Sequence, residues 1–236
     1  MKNFILALIG LCTLSLSAQK IIEKNINYSG QYIDLDVKFA SNIEVKTWDK
    51  STVYFKADLT TEGGKYLDQY KLDIDEGSNT ISITSEPKAL FKAFHDEWNK
   101  SHPDEENRYY FTKETYKFNY VLYVPKNASF KVSSINGKLK SEVIEGNFTA
   151  DLINGDIDIK KYNGDMDLQT INGAIDLVMK DTQMVAETLN GNIYADEKMN
   201  LTVSKRHVGQ KVEGSFGNAS NRMKLNTING NVYLRL

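Results

Sequence analysis

Cysteine and proline are almost missing from this chain of 236 residues, which has one Cys and three Pro. A single thiol excludes a disulfide-stapled mini-protein, and so few prolines exclude a collagen-like repeat. Neither sign of charge is in excess: 29 Lys and Arg stand against 31 Asp and Glu, for a formal net charge of -2. That balance excludes a disordered polyelectrolyte and leaves no electrostatic footprint for nucleic acid or an anionic membrane. Long hydrophobic runs are also lacking beyond Ala18, so no transmembrane segment is expected in the mature chain. What is abundant is Tyr, Val and Ile, which favour β structure.

The segment from Met1 to Ala18, MKNFILALIGLCTLSLSA, combines one Lys, an apolar run from Phe4 to Leu16 and small residues before Gln19. This pattern predicts a secretory signal peptide cleaved before Gln19, because the apolar run is too short to span a bilayer. The lone Cys12 lies inside that run after Leu11, unlike a lipidated cysteine that follows a small residue, so no lipid anchor is expected. After cleavage the chain would hold no cysteine, which removes disulfides, thiolate nucleophiles and Cys-based metal sites. The expected location is the periplasm, the outer cell surface or the extracellular space.

A fixed period organises the C-terminal half. Gly137, Gly146, Gly155, Gly164 and Gly173 follow one another at a constant step of nine positions, and Gly191 falls two steps further on. Leu139, Phe148, Ile157, Met166, Ile175, Met184 and Ile193 keep the same step. A second apolar column holds Ile135, Ile144, Ile153, Tyr162, Ile171 and Leu189, broken by Lys180. Within a unit such as Asn154-Gly155-Asp156-Ile157-Asp158-Ile159, polar and apolar residues alternate as in a strand with one buried face. The Ile/Leu-Asn-Gly triplet recurs at every second step, at Ile135, Ile153, Ile171 and Leu189, so two strand-and-turn units make one coil. Asn-Gly suits corners because both residues tolerate positive φ. It also marks β-hairpins, but a meander has no reason to keep the same apolar residue in register. Stacked coils do, since each Ile or Leu then sits on its equivalent in the next coil and builds one continuous buried column.

The predicted fold is therefore all-β: a single-domain parallel β-solenoid with about 18 residues and two short strands per coil. Residues 19–130 form an N-terminal β region, with alternating segments such as Ile33–Val37, Ile43–Val45 and Tyr70–Ile74. Residues 87–102 read as a helical insert, with Leu90, Phe91, Phe94 and Trp98 at helical spacing and Pro87 in the first turn. Residues 131–236 carry the repeats, with an irregular insert near 195–225. The pattern returns at Ile228-Asn229-Gly230, and a strand at the chain end is expected to close the last coil.

The segments Ile43-Glu-Val-Lys-Thr-Trp48-Asp49 and Tyr120-Val-Leu-Tyr-Val-Pro125-Lys-Asn-Ala128, together with the repeated Asn-Gly-Asp units, resemble the bacterial putative adhesin family of signal-bearing β-solenoid proteins. The chain is also similar to the head domains of autotransporter-type adhesins. The resemblance covers most of the mature chain. It implies a fold and an envelope role, and it brings no catalytic residues with it.

Candidate chemistry is sparse. Asp156, Asp158, Asp165, Asp167 and Asp176 should face outward in ladders, where a calcium ion could relieve like-charge repulsion. However, the doubled glycine of calcium-binding repeats is missing, and a solvated face is the plainer reading. His95 and His102, beside Asp96 and Glu97, could form a zinc site only with His207 from a distant loop. Carboxylates are abundant but no glycosidase, nucleophile-elbow, phosphate-loop or metalloprotease motif organises them. The sequons at Asn27, Asn127, Asn147, Asn200 and Asn218 read as chance. No catalytic, cofactor-binding or metal residue is assigned. The expectation is a non-enzymatic envelope protein without cofactor, an adhesin or binding scaffold whose partner is a surface glycan or an envelope protein. The alternatives are an accessory module of envelope sensing or assembly that uses the inserted helix, and a glycan-active enzyme.

Overall fold

The computed structural model of the protein describes residues 19–103, 115–204 and 206–236. The leader reading, for residues 1–18, lies outside them. The described residues form nineteen strands and one α-helix. The N-terminal part holds β1 (Gln19–Asn27), β2 (Tyr32–Asp36), β3 (Phe39–Trp48), β4 (Thr52–Thr61), β5 (Lys71–Glu76), β6 (Thr80–Glu86), α1 (Lys88–Ser101), β7 (Tyr116–Pro125) and β8 (Ala128–Ser141). Then follow β9 (Ile144–Asn154), β10 (Ile157–Ile159), β11 (Tyr162–Asn163), β12 (Met166–Thr170), β13 (Ile175–Val178), β14 (Thr182–Thr188) and β15 (Ile193–Ala195). The chain finishes with β16 (Leu201–Ser204), β17 (Gln210–Ser215), β18 (Asn221–Thr227) and β19 (Val232–Arg235).

All but the two-residue β11 belong to two runs of hydrogen-bonded strands. One runs β1–β4–β7–β3–β8–β10–β13–β19–β15. The other runs β5–β6–β2–β8–β9–β12–β18–β14–β17–β16. Strand β8 is long enough to pass from one run into the other, which joins them in a single large, open sheet. Strict alternation sends Val53, Phe55, Ala57 and Leu59 of β4 inward, and the inward residues of both runs meet in one core. Each fully buried Leu, Ile or Phe there stabilises the fold by about 1.5–3 kcal/mol.

The repeat register appears directly in the pairing. Ile157 lies between Leu139 and Ile175, and Phe148 between Phe130 and Met166. The Phe130 and Phe148 rings stack with centroids 4.6 Å apart. The sheet is nevertheless mixed. Antiparallel pairs flank the parallel strands, β1–β4–β7 and β5–β6 at one end and β14–β17–β16 at the other.

Three expectations need correction. The chain end does not close the array. Strands β18 and β19 lie between β12 and β13 on one side and β14 and β15 on the other, so spatial order departs from sequence order. The insert is also shorter than expected, because β18 resumes the pattern at Asn221. Finally, the second apolar column splits. Ile144 and Tyr162 are buried, whereas Ile153, Ile171, Leu189 and Ile228 are 38–48% exposed. Leu152, Thr170, Thr188 and Thr227 take the inward positions, so a period of two turns the next residue out.

The helix follows its spacing. Pro87 precedes its first turn, Leu90 and Phe94 are buried, and Phe91 meets Phe39 and Tyr116 edge-on at 4.9 and 5.1 Å. The apolar stripe is thus used for packing onto the sheet.

Candidate functional site

The outward side chains of the second run form parallel rows, because aligned strands place every second residue beside its counterpart. One row reads Tyr32, Ser129, Asn147, Asp165, Arg222, Gln183 and Ser215, and the next includes Thr149, Asp167, Lys224, Val185 and Glu213. These rows floor an open groove of about 1230 Å³, bounded by Tyr32 at one end and by the β16–β17 hairpin with Thr202 at the other. Seven strands at the usual spacing give it a length of about 29 Å.

Charges in the groove are held in pairs. The Asp165 carboxylate accepts the Arg222 backbone N–H at 2.8 Å, and the Arg222 Nε and Nη2 groups at 3.1 and 2.9 Å. The backbone N–H of Arg222, aided by its guanidinium, holds the Asp165 carboxyl below the usual range against a smaller opposing effect of burial. Asp167 lies 3.8 Å from Lys224, and Glu213 pairs with Lys211. Outside the groove, Asp156 faces Lys138 at 3.5 Å, Asp158 faces Lys160 at 2.7 Å, and Asp176 pairs with Arg235. Every aspartate of the expected ladders therefore has a cation, and three of those cations belong to the intercalated segment at residues 221–235. Repulsion between the carboxylates is relieved by Lys and Arg from the same protein.

At the neighbouring corner the Asn-Gly units form ladders. Asn136, Asn154, Asn172, Asn229 and Asn190 stack in that order, each later amide donating to the Oδ1 of the one before at 2.7–3.0 Å. The adjacent glycines are required by close approach. A Cβ on Gly155, Gly173, Gly230 or Gly191 would lie 1.9–2.0 Å from the carbonyl oxygen of the preceding glycine in the stack. Only Gly137 of this column has a positive φ. Thr170, Thr227 and Thr188 each donate a hydroxyl to one of these carbonyls at 2.8–2.9 Å. Beside them the exposed Ile153, Ile171, Ile228 and Leu189 make an apolar ridge, which period counting alone assigns to the core.

The histidines do not converge. His95 Nδ1 contacts the Asn99 amide at 3.1 Å, and the His102 ring stacks on Trp98 at 3.6 Å. No group of three or more His, Cys, Asp or Glu suited to a metal occurs among the described residues. Sequence reasoning identifies the outward aspartates but misses the groove, since Arg222 and Lys224 fall in a stretch where the period breaks.

No family profile matches the chain, and no curated protein matches it. Among solved structures it is similar to a putative cell adhesion protein from Clostridium sporogenes, with TM-score 0.57 at 10% identity, over 92% of this chain and 99% of that one. It also matches a putative adhesin from Bacteroides fragilis, with TM-score 0.41 at 10% identity, over 91% and 97%. The first of these shows a shared fold, which agrees with the adhesin-type resemblance of the sequence. No helix among the described residues is long and apolar enough to cross a membrane.

Proposed function

We propose that the protein is an exported, non-enzymatic scaffold of the cell envelope that binds an extended partner, a surface glycan or an envelope protein, along its groove. On this reading the parallel strands are the coils of a β-solenoid, and the antiparallel strands close its ends. The observation that carries the proposal is the groove itself: seven strands contribute rungs of hydroxyl, amide and paired charged groups at a constant spacing. A repeating surface suits a repeating or extended ligand, which can add contacts strand by strand. Asp165, ion-paired with Arg222 and shifted down, does not fit the raised carboxyl that the acid of a glycan-cleaving site needs. The leader-like segment from Met1 to Ala18 supports export.

The test is a glycan-array and envelope pull-down screen, repeated with the double variant Arg222→Ala/Lys224→Ala. A saturable ligand that the variant binds at least about tenfold more weakly is expected, since charge-assisted hydrogen bonds contribute about 1.5–3 kcal/mol each. A ligand that binds both forms equally would remove the groove from the proposal, and sugar turnover by the wild type would replace the scaffold with an enzyme.

A further inference from the structure

The outer face of β4, β7 and β3 carries an aromatic cluster where alternation alone would place solvated polar groups. Tyr54 and Tyr123 lie opposite each other across the strand pair, with ring centroids 5.7 Å apart. Trp48 lies 4.9 Å from Tyr123 and 6.3 Å from Tyr54. All three rings are half-buried, and the Trp48 indole N–H donates to the Thr52 carbonyl at 2.7 Å, which fixes the ring orientation. Two ammonium groups border the cluster. Lys46 Nζ lies 5.3 Å from the Tyr123 centroid and is paired with Glu44 at 2.9 Å. Lys50 Nζ lies 4.5 Å from the Trp48 centroid, on an exposed turn, and makes no ion pair among the described residues.

We propose that this cluster is a second binding site, separate from the groove, for a pyranose residue that carries a carboxylate. The faces of aromatic rings carry negative charge density, which attracts the polarised C–H groups on the apolar side of a sugar ring as well as cations. Rings already fixed in place lose little conformational freedom when a ligand settles on them. A neutral sugar would have to displace Lys50 from Trp48 with nothing in return. A carboxylate gives that ammonium a stronger partner at the rim of the same platform, and so turns a competitor into a contact. Two carboxylates also border the rings, Glu23 beside Tyr54 and Glu44 beside Lys46, but each is paired with a lysine, Glu23 with Lys56 at 3.4 Å and Glu44 with Lys46 at 2.9 Å. Lys50 is therefore the ammonium that meets the ligand, and it favours an acidic sugar over a neutral one of the same shape. The groove plays no part in this recognition, and groove variants should leave it unchanged.

The experiment titrates purified protein with methyl β-glucuronide and with methyl β-glucoside, two sugars that differ only in the carboxylate. The Trp48 indole N–H resonance reports binding by NMR, with the Trp98 indole as an internal control. A saturable shift of the Trp48 signal is expected with the glucuronide, at an affinity at least about fivefold above that for the glucoside. Lys50→Gln should abolish the preference; the free-state Trp48 signal moves because it loses its ammonium neighbour, while the rest of the spectrum, the Trp98 indole included, should stay that of the folded protein. No saturable shift with the glucuronide would overturn the proposal. So would equal affinities for the two sugars, or a preference that survives Lys50→Gln.

Discussion

A single methyl group tests the corner architecture. At Gly173 the missing side chain lets two neighbouring turns approach until a Cβ would be 2.0 Å from the Gly155 carbonyl oxygen. Gly173→Ala must push these turns apart, and the expected loss is about 2–4 kcal/mol, at the upper end for overpacking. Urea unfolding should show a lower midpoint at an unchanged slope. A second residue-scale prediction concerns Tyr70 and Tyr120, whose hydroxyls share a buried hydrogen bond of 2.8 Å. Burial pushes the Tyr70 hydroxyl up to about 12, and Tyr120 is raised in the same direction. A raised pKa means that the folded state prefers the proton. This stability is complete below the unfolded value of about 10 and is lost as pH rises from there through about 12. Unfolding free energies measured across that window should fall more steeply for the wild type than for Tyr70→Phe, by about 2–3 kcal/mol in total.

Among the elements, the decisive one is the pair β18 and β19. Both edges of each strand are occupied by strands that come earlier in the chain, and Asp181 anchors the entry to this segment. The Asp181 Oδ1 accepts the Asn218 N–H at 3.2 Å, and its carbonyl accepts the Asn221 N–H at 3.1 Å. A chain ending at Ser220 would leave the facing edges of β12 and β14 without partners, as well as those of β13 and β15. Hydrogen exchange should then show loss of protection over β14 to β17, while β2, β3, β8 and β9 keep theirs, because those strands are bonded to each other. Uniform retention of protection would mean that β14 and β15 can close directly onto β12 and β13. Helix α1, by contrast, follows its local pattern: Leu90 and Phe94 are buried as their spacing requires, and only the choice of Phe39 and Tyr116 as neighbours of Phe91 comes from the fold.

For the molecule as a whole, charge is distributed so that no ladder is left uncompensated. Asp156, Asp158, Asp165, Asp167 and Asp176 each have a Lys or Arg within ion-pair distance. Thermal unfolding with calcium and with chelator should therefore give midpoints within about 2 °C, since an ion without a preferred site does not shift the equilibrium. A larger shift would point to a cation site on the outer face. The same distribution explains why the groove escapes a reading of the sequence. Asp165 and Arg222 are 57 positions apart, and only the intercalation of residues 221–235 makes them adjacent.

The sequence by itself determined the β character, the alternation that selects Leu139, Phe148, Ile157, Met166 and Ile175 for the core, and the constant step between equivalent residues of paired strands. Those features are local and periodic, so they survive any choice of stacking order. It also placed the helix, because the apolar spacing of Leu90, Phe91 and Phe94 fits one helical face. The tertiary structure decided the rest. It set the order in which strands pair, turned Ile153, Ile171, Leu189 and Ile228 outward, brought cations beside the aspartates and built the groove. Hydrogen bonding between strands is blind to sequence separation, and a strand pair such as β18 with β19 fits any slot bounded by matching edges. Which slot it takes depends on the burial and pairing of the whole array, which no single repeat encodes.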